Sequence, residues 1–185
     1  MRLFAAVLPP EQAIDELRTA VRALPHDSRL RWTAEAGWHF TLAFMGEVEE
    51  HLLPELYARM ERAAARTEPF RLRLHGSGHF GNRALWTGAA GSLDTLRLLA
   101  ERADAAARRA GVPMEQHRRY TPHLTVARSA HGDVDLRPLV DALAPFEGAP
   151  WQVGELHLVR SNLPAGGVPG ERPRYEVQGS WPLTG

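Results

Sequence analysis

Residues 121–128 read TPHLTVAR, and residues 38–44 read WHFTLAF. Each stretch places a histidine two positions before a threonine in an otherwise apolar run: His123 and Thr125 in one, His39 and Thr41 in the other. A β-strand directs successive side chains to opposite faces, so residues i and i+2 share a face. The imidazole and hydroxyl of each pair therefore stand together, while Phe40 and Leu42, or Leu124 and Val126, turn into a core. Core strands normally carry apolar residues, so two polar pairs in matching register call for a reason beyond packing. The chain contains its own controls. His26-Asp27-Ser28 and His75-Gly76-Ser77 also have a hydroxyl two residues after a histidine, but neither has the apolar alternation of a strand.

Outward from these stretches, helical and strand periodicities alternate irregularly. Strands are expected at residues 2–8, 30–32, 38–44, 70–74, 84–87, around His123, at 153–159 and from 175 onward. Helices are expected at 11–24, 51–65, 93–110 and 136–143, with Pro9-Pro10 opening the first and Gly111-Val112-Pro113 closing the third. GSGHFGN, residues 76–82, is expected to be a turn and LPAGGVPGERP, residues 163–173, a loop. Hairpins mixed with crossovers favour an α+β fold over a doubly wound parallel sheet. HFTLAF and HLTVAR form a weak internal repeat, each followed by a helical segment and further strand. The economical arrangement is one domain over residues 1–185, made of two related lobes that each supply one strand to a shared cleft.

Composition narrows the chemistry. The 185 residues are 44% hydrophobic and 24% charged with a formal net charge of zero, as in an ordinary soluble globular protein. No global field attracts nucleic acid or an anionic membrane, so any contact with RNA rests on local arginine clusters. The chain has no cysteine, which excludes disulfides, thiolate nucleophiles and thiolate metal sites. It also has no lysine, so all 22 basic residues in the Lys+Arg count are arginine. A Schiff-base lysine, a P-loop lysine and an adenylylated lysine are thereby excluded. The remaining candidates are His, Ser, Thr, Asp, Glu, Tyr and Arg. No segment approaches a membrane span, and the N-terminal run MRLFAAVLPPEQ reads as an opening strand rather than a secretory signal. A cytoplasmic, monomeric protein is the expectation.

Histidine titrates near neutrality, so one imidazole can be neutral while a second is protonated. Two facing histidines thus suit displacement at phosphorus, one removing a proton from the nucleophile and the other protonating the departing oxygen. Threonine hydroxyls can donate to the non-bridging oxygens, whose charge grows in the transition state. Such a reaction requires no metal or other cofactor. Other sites read less well: His75 and His79 have i,i+4 spacing, but Gly76 and Gly78 disfavour a helix there, and no H-E-x-x-H, G-x-S-x-G or P-loop pattern occurs.

The two H-x-T-x stretches resemble those of the 2H phosphoesterases, and the chain is most similar to their LigT-like bacterial RNA 2′,3′-cyclic phosphodiesterases, once called 2′-5′ RNA ligases. The resemblance extends over MRLFAAVLPP, WHFTLAFMGEV, FGNRALWTG, YTPHLTVAR and LHLVRSNL. It implies an α+β fold of two pseudo-symmetric lobes, with antiparallel sheets facing a central cleft and helices outside. It also implies metal-independent hydrolysis of a terminal 2′,3′-cyclic phosphate to a 2′-phosphomonoester. By that analogy His39 is the proton donor, His123 the proton acceptor, and Thr41 and Thr125 hold the phosphate. Arg128 ends the second motif and can neutralise phosphate charge. On an ideal strand, however, it faces away from His123 and Thr125, so it requires a bulge or the end of the strand.

Beyond the motifs, His117-Arg118-Arg119 reads as a solvated cluster that can also serve as a basic lip, and Phe44 or Trp38 as a core aromatic that can also stack on a base. The alternatives to an RNA-end hydrolase are a phosphodiesterase for small cyclic nucleotides or ADP-ribose cyclic phosphate, and an RNA-end-binding module without turnover.

Overall fold

A computed structural model describes residues 1–116, 119–164 and 172–185. Nine strands and four helices run in the order β1 (Arg2–Val7), α1 (Glu11–Arg22), β2 (Leu30–Trp32), β3 (Phe40–Glu47), α2 (Leu53–Ala65), β4 (Phe70–Phe80), β5 (Ala84–Gly91), α3 (Leu93–Arg109), β6 (Leu124–Ser129), α4 (Arg137–Leu143), β7 (Trp151–Val153), β8 (Glu155–Asn162) and β9 (Arg174–Pro182) among the described residues. They form two antiparallel sheets, one of order β3-β1-β8-β9 and one of order β2-β6-β5-β4-β7. The class is α+β, as the element pattern leads one to expect.

The helices pack on one face of each sheet, α2 and α3 against β3, β8 and β9, and α1, α3 and α4 against β4. A single apolar cluster runs through both sheets and all four helices, with Phe40, Leu56, Leu72, Leu99, Leu124 and Leu158 among its solvent-free members. Truncating one such side chain, Phe40→Ala for example, removes about 3–5 kcal/mol, a large share of a domain's stability. β1 lies between β3 and β8 and is covered on both faces, which explains its unbroken apolar run. Leu3, Ala5 and Val7 enter the main core, and Phe4 and Ala6 join Val159 on the other side.

Helix ends follow local rules. Pro54 occupies the first turn of α2, where no amide hydrogen is missed. After α3, Gly111 adopts φ +94, and the amides of Gly111 and Val112 donate to Arg108 and Ala107, closing the helix as a Schellman motif.

Three elements differ from the sequence expectation. Residues 76–80 continue β4 instead of forming a turn, because Gly76 at φ +68 is absorbed as a bulge opposite β5, and the reversal waits for Gly81. Gly46, at φ +64, likewise sits inside β3 beside a bulge at Met45 rather than ending the strand. The single strand expected at 153–159 is two, β7 and β8, broken at Gly154 and pairing in different sheets. Periodicity along the chain cannot report such a change of partner. Of the expected loop at 163–173, residues 165–171 lie outside the described residues. No helix among the described residues is long and apolar enough to cross a membrane.

Candidate active site

β3 forms the edge of one sheet and β6 lies second from the edge of the other. Their polar pairs meet at one cavity of about 70 Å³, lined by His39, Thr41, His123, Thr125 and Arg128 together with Thr33, Gly37 and Tyr175. The two stretches that resemble one another in sequence are thus brought face to face.

Each histidine is fixed in the same way. The Nδ1–H of His39 donates to the carbonyl of Gly37 at 2.6 Å, and that of His123 donates to the carbonyl of Thr121 at 2.8 Å. A carbonyl only accepts, so the proton is assigned to Nδ1 in both rings and Nε2 is left for chemistry. His39 Nε2 accepts from the Thr41 hydroxyl at 2.9 Å. The two accepting carbonyls are placed by local structure. A 3-10 turn at Glu35–Gly37 delivers the chain into β3, and Pro122 holds the residue before it extended ahead of His123.

Arg128 reaches the cavity through a bulge. In the β5–β6 ladder Leu85 pairs with Ala127 and Trp86 with Thr125, so Val126 has no opposite number. One extra residue inverts the parity of everything beyond it. Thr125 and Arg128 therefore share a face that an unbroken strand would deny them, while Val126 and Ala127 are both buried. β3 repeats the device. Ala5 pairs with Ala43 and Ala6 with Thr41, so Leu42 is the bulged residue, three after His39 as Val126 is three after His123. The residue of β3 matching Arg128 is Phe44, which is 48% exposed and lies under the Arg2 guanidinium, 4.8 Å from the ring centre. Trp38, the other aromatic considered for stacking, is buried in the core.

Aromatic rings collar both imidazoles. Phe4 lies 4.6 Å and Tyr175 5.4 Å from the His39 ring, and Phe80 lies edge-on 4.7 Å and Trp86 6.0 Å from that of His123. Tyr175 packs directly on Gly37, where a Cβ would come within 2.8 Å of its ring. Sequence reasoning does not find Phe4, Thr33, Phe80 or Tyr175. Each is an ordinary residue of its own strand or turn, and only sheet assembly brings it to a histidine.

The collars have an electrostatic consequence. Burial lowers the pKa of His39 to about 4; its bond to Gly37 opposes this, and the positive charge of Arg128 and then His123 add smaller lowering contributions. Burial, and then Arg128, also lowers that of His123, the bond to Thr121 opposing. Both rings are therefore neutral near pH 7 in the free protein. An anion bound among them favours the imidazolium and shifts both values back up.

Among the described residues no group of three or more His, Asp or Glu side chains is arranged to hold a metal ion. His79 instead bonds the carbonyl of Gly81 at 2.6 Å. His117 and Arg118 of the proposed basic lip lie outside the described residues; Arg119 lines a larger cavity beside Thr121 and His123.

Comparison with known proteins bears on the family and the fold. The family model of the 2′-5′ RNA ligase superfamily matches residues 7–164. A Thermus thermophilus protein named RNA 2′,3′-cyclic phosphodiesterase is 32% identical over all of this chain and 91% of its own length. A protein of the same name from Geobacillus stearothermophilus is 30% identical over 83% of this chain, which spans only 48% of that relative's length. Among solved structures, TT0787 of Thermus thermophilus superposes with a TM-score of 0.78 at 31% identity, covering 100% of this chain and 99% of its own. E. coli LigT complexed with 3′-AMP superposes with a TM-score of 0.82 at 27% identity, covering 100% and 98%.

Proposed function

We propose that this chain, which belongs to the 2′-5′ RNA ligase superfamily, hydrolyses the 2′,3′-cyclic phosphate at an RNA 3′ end to a 2′-phosphomonoester without a metal ion. The observation that carries the reading is the pair of facing imidazoles, each tied through Nδ1 to a carbonyl and each next to a threonine hydroxyl in one cavity with Arg128. The names borne by the relatives from Thermus and Geobacillus support the activity.

In this mechanism water attacks phosphorus and the bond from phosphorus to O3′ breaks. His123 Nε2 takes the proton of the attacking water, and His39 Nε2 gives its proton to O3′, so the phosphate stays on O2′. Thr41, Thr125 and Arg128 hold the non-bridging oxygens, where charge develops. Substrate binding is part of the acid–base machinery. His39, neutral in the free protein, gains its proton as the phosphate anion offsets the charge of Arg128. The ordering of donor and acceptor follows the family resemblance.

The test is product analysis on a short RNA ending in a 2′,3′-cyclic phosphate. The expected product carries phosphate on O2′ alone. A 3′-phosphate product overturns the assignment of the leaving oxygen, and absence of any product under single-turnover conditions identifies a binding module instead.

A further inference from the structure

The cleft is unequal on its two sides of the histidines. One side, about 570 Å³, presents Phe44, Phe80 and Tyr120 along with Glu101, Asp104 and Glu115. The other, about 740 Å³, presents Arg31, Arg128, Arg172 and Arg174 and, among the described residues, no acidic side chain. It opens directly onto the catalytic cavity, since Thr33, Gly37, Arg128 and Tyr175 line both.

These guanidiniums converge from separate parts of the chain. Arg31 on β2 stands directly opposite Arg128 on β6 in the antiparallel ladder, and Arg174 opens β9 of the other sheet. Like charges directly opposite one another destabilise a sheet. None of the four side chains is hydrogen-bonded or ion-paired to a described residue. Other surface arginines of this chain are neutralised, Arg18 by Glu35 and Asp15, Arg29 by Asp27, and Arg137 by Asp135. Arg128 suffices for the single charge of a cyclic phosphate, which leaves Arg31, Arg172 and Arg174 without an anion at the reacting centre.

We propose that this arginine-lined half of the cleft binds a second phosphate, the phosphodiester that joins the terminal nucleotide to the one before it. The substrate is then an RNA end of at least two nucleotides rather than a cyclic mononucleotide. The inference rests on the activity proposed above and adds the direction in which the strand leaves the site. The terminal nucleoside is left to the aromatic side, where Phe44 and Phe80 offer exposed rings for stacking.

The experiment compares kcat/KM for adenosine 2′,3′-cyclic phosphate, the dinucleotide ApA 2′,3′-cyclic phosphate, the same dinucleotide with an uncharged methylphosphonate linkage, and ADP-ribose cyclic phosphate. Each is assayed with the wild-type chain and with Arg31→Ala, Arg174→Ala and the double variant. The wild type is expected to favour the charged dinucleotide over the mononucleotide by about tenfold or more, the range of a charge-assisted contact. The neutral linkage and the double variant should each erase that preference while mononucleotide turnover stays within about twofold. Equal turnover of the two dinucleotides overturns the second-phosphate site and leaves the activity standing. An equal loss on the mononucleotide overturns it too, because the arginines then serve the reacting phosphate. Preference for ADP-ribose cyclic phosphate overturns the assignment to RNA, and no turnover of any substrate overturns the activity and this inference together.

Discussion

His39 and His123 share an anchor but not an environment, and the difference supplies two tests. General acid–base groups contribute about 10²–10⁴-fold each, so His39→Ala and His123→Ala should lose that much in kcat/KM while retaining the wild-type circular dichroism spectrum. A diester whose leaving group needs no proton, such as a 4-nitrophenyl phosphodiester, separates the roles. His39→Ala should recover most of its loss on that substrate and His123→Ala should not; the reverse result exchanges acid and base. The pH profile follows from the depressed pKa values. The reactive free enzyme holds one proton between the two Nε2 atoms, and that proton is lost as pH rises through values below the ordinary 6.5. kcat/KM should therefore peak on the acid side of 6.5 and fall above it. Bound phosphate raises both values, so the alkaline limb of kcat should lie at higher pH than that of kcat/KM. Coincident limbs would show that binding does not recharge the site.

Strands β3 and β6 each carry a one-residue bulge three positions after the histidine, and these kinks, more than the alternation alone, decide what faces the cavity. The period-2 reading places Thr41 beside His39 and Thr125 beside His123, and those placements hold in the folded chain. It fails for Arg128, because a bulge is a relation between two strands and leaves no signal in either one. The collar around His123 depends on a further pairing. Gly78 of β4 lies beneath the Trp86 ring, where an added Cβ would come within 2.3 Å. Gly78→Ala must displace that ring from its place beside His123. We expect about 1–3 kcal/mol of destabilisation by denaturant titration, with a fall in kcat. Gly154→Ala meets nothing within 4 Å at the break between β7 and β8, and should be near neutral in both measurements.

At the scale of the whole molecule, one apolar cluster joins both sheets, so core packing sets the cavity between them. The proposed reaction draws on two imidazoles for its proton transfers and on Thr41, Thr125 and Arg128 for the developing charge, so dialysis against EDTA should leave kcat unchanged. A loss restored by a divalent cation would demand a different mechanism. By itself the sequence determined the α+β class, most of the elements, and the two His-x-Thr strands as a related pair. Those features are written in local periodicity and in the likeness of two short segments, and both survive any arrangement of the rest. Tertiary structure alone decided that the two pairs share one cavity, that Arg128 turns into it, and that Phe4, Phe80, Trp86 and Tyr175 surround the imidazoles and depress their pKa values. It alone set Arg31, Arg128 and Arg174 around a common space. Each of these depends on register and contact between residues far apart in the chain, which cross-strand hydrogen bonds and packing establish only when the sheets assemble.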